Sequence, residues 1–89
     1  MIKIVRITAI WCPSCIIMNN RYNEVLKDLD VTIIDYDIDE DSDAIEPFNI
    51  GSVLPILIIY RDEIEVLRII GEKTKKELLK LLEGYPKKS

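Results

Sequence analysis

The spacing of apolar residues changes several times along the chain, and each change marks an element. In "IKIVRIT", residues 2–8, Ile2, Ile4, Val5 and Ile7 serve two faces, which predicts a strand. From the cysteines onward the step becomes three and four. Cys15, Met18, Tyr22, Val25, Leu26 and Leu29 make one stripe, predicting an amphipathic helix with Cys12 near its N-cap and Pro13 at its first position. "VTIIDYDI", residues 31–38, is β-branched and alternating, a second strand. Residues 40–50 are acidic and then mixed, and allow a turn or a short helix at most. "ILIIY", 56–60, is a buried strand, "RDE" a turn, and "IEVLRII", 64–70, the antiparallel return. Gly71 breaks the pattern. Thr74 and Glu77 form a capping box, and Leu78, Leu79, Leu81 and Leu82 give a last amphipathic helix. Gly84 and Pro86 end it, and residues 84–89 are expected to fray.

This order predicts an α/β fold in a single domain over residues 1–89. The first two strands are parallel, joined by a right-handed crossover, and the last two form a hairpin. The result is a four-stranded mixed sheet flanked by helices. A chain of 89 residues can bury one modest core, and 48% apolar residues exclude disorder as the default. The longest apolar run, "VLPILIIY", is too short to span a bilayer and holds a proline, so no membrane is expected. The amino-terminal stretch alternates where a secretory signal would have a basic end and an apolar centre, which points to the cytoplasm. A net charge of −4 without a basic cluster argues against nucleic acid as a partner. Histidine is absent, removing the usual general base and the commonest nitrogen ligand of zinc.

The candidate chemistry lies in "WCPSC", residues 11–15, which holds the only two cysteines. A bridge across two intervening residues constrains the unfolded chain little, and permanent disulfides are rare in a reducing cytosol. Zinc needs four ligands, so the thiols could close a site only by sharing a metal across a dimer. Two ordinary small core residues are a further reading. A redox pair fits the placement better. A helix start favours a thiolate, which suits Cys12, and Cys15 lies one turn on, heading the buried stripe. Residues at i and i+3 share a face and are close enough for a disulfide. The arrangement predicts an exposed attacking thiol and a sheltered resolving one.

With "WCPSC" at the first strand–helix junction, "LP" in "SVLPILIIY" before the third strand and "IIGEKTKKELLKLLEGY" at the end, the chain resembles the thioredoxin superfamily over nearly its whole length. The form is trimmed: the extra amino-terminal strand and helix of full thioredoxins are missing, and the middle helix is short or absent. Trp11 before the first cysteine resembles thioredoxin, whereas Pro13 directly after it resembles glutaredoxins and periplasmic oxidants. The intervening Pro13–Ser14 pair belongs to neither main pattern. The "TVP" and double glycine by which glutaredoxins bind glutathione are missing, so glutathione is not the expected obligate reductant. The resemblance implies that Pro55 is cis and faces the cysteines, with Leu54 offering its backbone to a bound substrate chain. On sequence alone Pro55 marks only a strand start.

The resemblance also bears on charge. Thioredoxins carry a buried aspartate six residues before the first cysteine and a lysine near it on the next parallel strand, and the aspartate assists proton transfer to the resolving cysteine. Here those positions hold Arg6 and Asp35, so the charges are exchanged and the acidic acceptor is absent. Alternation places Arg6 with Ile2 and Ile4, and Asp35 with Val31 and Ile33, so the pair can meet on one face as a tuning salt bridge. The alternative is that both reach solvent, the short connector covering that face poorly. Carboxylates in "DYDIDEDSDAIE", 35–46, imitate a calcium loop, but Glu40 stands where the sharp turn needs glycine, and strand formers precede it. The segment is an acidic loop end.

The expected activity is that of a cofactor-free thiol–disulfide oxidoreductase, monomeric and cytoplasmic. It acts mainly as a reductant of protein disulfides and is recharged by a dithiol reductase. Cys12 attacks and Cys15 resolves, while Trp11, Pro13, Ser14, Leu54 and Pro55 shape the site; no metal is expected. The rivals are a binding protein that keeps the fold without turnover and a metal-bridged dimer.

Overall fold

A computed structural model describes residues 1–87. Its elements are β1 (Ile2–Thr8), α1 (Pro13–Leu26), β2 (Thr32–Asp37), α2 (Ser42–Ile45) running into a 3-10 turn (Glu46–Phe48), β3 (Ile56–Arg61), β4 (Ile64–Ile70) and α3 (Lys75–Leu81). The four strands form one mixed sheet in the order β2-β1-β3-β4. β1 pairs in parallel with β2 and antiparallel with β3, and β3 pairs antiparallel with β4. The two central strands are the most apolar, as strands covered on both faces must be. Ile56, Leu57, Ile58 and Ile59 are all buried.

Alternation along β1 divides the core. Ile2 and Ile4 join Leu57, Ile59 and Ile69 beneath Met18, Tyr22, Val25 and Leu26 of α1 and Leu78 of α3. Val5 and Ile7 join Ile56 and Ile58 on the opposite face, covered by Ile45 and a partly exposed cluster of Tyr36, Phe48 and Tyr60. The Thr74–Glu77 capping box is present: the Thr74 side chain accepts from the Glu77 amide, and the Glu77 carboxylate accepts from the Thr74 amide.

Three details differ from the sequence pattern. α1 ends at Leu26, yet Leu29 is buried, because its amide bonds the Leu26 carbonyl and carries the turn back over the core. In α3 only Leu78 and Leu82 are buried, and Leu79 and Leu81 face solvent. Where the sequence pattern suggests a frayed tail over residues 84–89, the Asp30 amide donates to the Pro86 carbonyl at 2.9 Å and Lys87 makes a β-bridge with Leu29. Residues 88 and 89 lie outside the described residues.

The β3–β4 turn carries an unspent source of stability. Asp62 and Glu63 both sit in the left-handed region, at φ 51° and 70°. That is the geometry of a two-residue hairpin turn, which matches strand twist but disfavours a side chain such as glutamate. Lys3 bonds Glu63 at 3.3 Å, but Glu63 is exposed and the pair contributes little. Glu63→Gly is expected to stabilise the protein by about 0.5–1 kcal/mol. Urea unfolding checks this, and a lowered midpoint would contradict the strain argument.

Candidate active site

The site grows from the carboxyl end of β1. The Cys12 amide donates to the Ala9 carbonyl at 3.2 Å, closing a turn over residues 9–12. Cys12 is then the N-cap of α1, with extended backbone and no side-chain cap bond. Pro13 follows at the first helical position, where no amide is needed. The Cys15 amide donates to the Cys12 carbonyl at 3.1 Å, which draws the two cysteines onto one turn. Both are free thiols.

Cys15 is 1% exposed and Cys12 8%. The ranking matches the expectation, but Cys12 is far more covered than an exposed attacking thiol. Ala9, Ile38 and Leu54 pack around the pair, and the spacing of cysteines along a helix says nothing about such neighbours. Burial pushes the Cys15 thiol up to about 11, helped by its hydrogen bond to the Cys12 sulfur and by the charge at Cys12; the Ala9 backbone amide pulls the other way. No cation contributes to this shift. Cys15 is therefore a protonated thiol near neutrality.

Around the pair, Pro13 is exposed and Ser14 half-buried. Trp11 is exposed but held, its indole Nε1 donating to Asp39 Oδ2 at 2.7 Å. Leu54 packs against the cysteines, the Leu54–Pro55 bond is cis, and Pro55 is buried. The Gly71 amide donates to the Pro55 carbonyl at 2.9 Å and ties this loop to the end of β4. Asp39 was not among the candidates. The signal for it lies in the parallel pairing of Thr8 with Asp37, which carries residues just beyond β2 alongside the turn after β1.

Arg6 and Asp35 are register partners and form a bidentate pair, Nε to Oδ1 at 2.6 Å and Nη2 to Oδ2 at 3.0 Å. Arg6 Nη1 also donates to Asn23 Oδ1 of α1 at 2.8 Å. From the sequence this pair falls on a face that the short connector covers poorly; the pair lies instead on the α1 side, where Asn23 meets Arg6. The Arg6 side chain is 12% exposed and that of Asp35 59%. Tyr22, buried under the same helix, has a hydroxyl without a hydrogen-bond partner, and burial raises its pKa while Arg6 opposes the rise. Two carboxylates of the 35–46 loop, those of Asp37 and Asp41, serve the loop's own backbone. Asp37 Oδ1 accepts from the amides of Asp39 and Glu40, and Asp41 Oδ2 from that of Asp37. Among the described residues no cluster of three or more metal-ligating side chains occurs, and no helix is long and apolar enough to cross a membrane.

Two free thiols on one helical turn, one of them sheltered and protonated, can exchange two electrons and two protons with a disulfide. Fold and site together define a thiol–disulfide oxidoreductase. The thioredoxin family model matches residues 1–84, and the chain belongs to that family. It is 33% identical over 76 residues to a thioredoxin of Chlamydia trachomatis, spanning 84% of this chain and 74% of that one. A thioredoxin of Chlamydia muridarum is 35% identical over 76 residues, with the same shares of 84% and 74%. Among solved structures, Trxlp from Edwardsiella tarda superposes with a TM-score of 0.83 at 26% identity, covering 91% of this chain and 81% of its own. A thioredoxin from Nicotiana alata gives 0.82 at 30% identity, covering 97% and 74%.

Proposed function

We propose that the protein works mainly as a reductant of protein disulfides, as a monomer in the cytoplasm, and is recharged by a dithiol reductase. The Cys12 thiolate attacks one sulfur of the substrate disulfide. A mixed disulfide forms, and the first substrate thiol leaves. Cys15 then attacks the Cys12 sulfur, its proton passing to the second substrate thiol as that group departs. The products are a Cys12–Cys15 disulfide and two substrate thiols, a balanced two-electron exchange. Trp11, Pro13 and Ser14 frame the nucleophile. Leu54 presents an amide and a carbonyl that have no partner among the hydrogen bonds of the described residues, a fit for an extended substrate chain. Arg6 and Asp35 act as a tuning pair behind the helix.

The observation that supports the reading is the family match over residues 1–84 together with two free thiols on one turn of α1, the second of them 1% exposed. Oxidants of this chemistry owe their high potential to a stabilised reduced form. Here burial raises the Cys15 thiol and no cation is among the causes, so Cys15 itself contributes no such stabilisation. Two measurements test the reading. Insulin should be reduced in the presence of a dithiol. The potential should fall below about −230 mV, toward the thioredoxin end of the range, whereas a value near about −120 mV would mark an oxidant.

The same shift predicts a pH effect. The folded thiol titrates near 11 against an ordinary value of 9.0, so the folded state holds the proton more tightly. The contribution is fully present below the ordinary value and is lost as pH rises through the folded one. Reduced protein should therefore lose stability from about pH 9 to about pH 11 relative to Cys15→Ala. Parallel stability curves for the two proteins would refute a buried, protonated Cys15.

A further inference from the structure

We infer that Asn19 is a positioning residue for the resolving step: its side-chain oxygen takes the hydrogen of the Cys15 thiol and turns it off the line of attack on Cys12. The inference rests on the exchange reaction proposed above. Among the described residues, Asn19 Oδ1 and Tyr22 Oη are buried side-chain atoms without a hydrogen-bond partner, and both belong to α1. An oxygen sealed from water and left unbonded costs stability, and a fold that retains one calls for a reason. Tyr22 lies seven residues beyond Cys15. Asn19 lies only four beyond it, one turn along the same side of the helix. Side chains on a helix lean toward its N-terminus, so Asn19 reaches back over the turn that holds Cys15. Asn19 as a residue is half-buried, yet its oxygen is shut away from solvent.

The need for such an acceptor arises in the mixed disulfide. In the reduced pair the Cys15 thiol hydrogen-bonds to the Cys12 sulfur. Its hydrogen therefore lies between the two sulfurs, where the new bond has to form. Attack needs a sulfur lone pair on that line, so the hydrogen must first swing aside. Once Cys12 is bonded to substrate, its sulfur is no longer an anion and holds the hydrogen weakly. Ala9, Ile38 and Leu54 close over the pair with apolar side chains, and the Ala9 amide is itself a donor. Asn19 Oδ1 is a carbonyl oxygen with its lone pairs unused. It accepts the S–H, and a lone pair of Cys15 then faces the Cys12 sulfur. An amide oxygen is too weak a base to keep the proton. As the Cys15–Cys12 bond forms, the bond from Cys12 to the substrate breaks. The electron pair leaves on the substrate sulfur and the proton ends there, so Asn19 is unchanged by the cycle.

The test uses the reduced full chain and one equivalent of dithiobis(nitrobenzoate), which frees one coloured thiolate when Cys12 attacks and a second when Cys15 resolves. The wild-type protein should free both. Asn19→Leu keeps the branched shape but has no acceptor. It should free the first thiolate at the wild-type rate and the second about tenfold more slowly, the loss of one hydrogen bond from the transition state. Its thermal unfolding should come at or above the wild-type temperature, because an unbonded buried oxygen has been removed. Asn19→Asp keeps an acceptor at the same place and should bring the second release back. Tyr22→Phe removes the other unbonded atom and should leave both releases unchanged. Four outcomes overturn the inference and leave the activity standing: an unchanged second release in Asn19→Leu, both releases slowed together, a second release that stays slow in Asn19→Asp, or one slowed as much in Tyr22→Phe. An Asn19→Leu protein that unfolds earlier than wild type makes the oxygen a structural tie and overturns it as well. A wild-type protein that frees only one thiolate, or none, overturns the exchange reaction and the inference with it.

Discussion

Cys12→Ser is expected to end disulfide reduction, with a loss of at least about a thousandfold, because a serine hydroxyl supplies no anion comparable to a thiolate near neutral pH. Cys15→Ser should behave differently. It still attacks, but the mixed disulfide has no internal thiol to resolve it and accumulates. Mass spectrometry after incubation with a disulfide substrate should find the adduct on Cys15→Ser and almost none on Cys12→Ser. Alkylation gives the same order without mutation. Near pH 7 Cys12 should be modified much faster than Cys15, which is 1% exposed and pushed up to about 11. Trapping on Cys12→Ser, or faster alkylation of Cys15, would reverse the roles assigned here.

The second large effect is expected at the Arg6–Asp35 pair, and it should be lopsided. Asp35 is 59% exposed, so it stays solvated when its partner is gone; Arg6 is 12% exposed and would keep only Asn23. Asp35→Leu is therefore expected to cost about 1–2 kcal/mol, the penalty of a covered cation stripped of its counter-charge. Arg6→Met should cost about 0.5 kcal/mol or less, since the methionine fills the apolar path of the arginine stem. The double change Arg6→Met, Asp35→Leu should return close to the Arg6→Met value. A double-mutant cycle read by urea unfolding should give a coupling near about 1 kcal/mol. Coupling within error of zero would mean that the bidentate geometry holds no energy in solution.

Much of this architecture is written in local periodicity. The alternation of Ile2, Ile4, Val5 and Ile7, the stripe from Cys15 to Leu26 and the Thr74–Glu77 box each depend on neighbours within a few positions, and each is found where the pattern places it. The Arg6–Asp35 register follows from the same alternation once the strands are parallel. What the pattern does not carry is long-range cover. Cys12 is closed over by Leu54 and Ile38, from segments far along the chain. Trp11 is fixed by Asp39, and the face of Arg6 is shielded by α1 through Asn23. Leu29 and Pro86 are held by bonds between the end of α1 and the end of the described chain, where composition alone suggests fraying.

The two described ends of the chain meet. Met1, Ile2, Asp30, Val31, Thr32, Arg61 and Pro86 line one hollow of about 340 Å³, at the end of the sheet where β1 begins. The dithiol sits beyond the end of the same strand, seven residues or about 20 Å away. Both ends therefore serve as handles remote from the chemistry. A tag, a surface anchor or a fused partner attached at either one lies at the opposite end of the sheet from the cysteines.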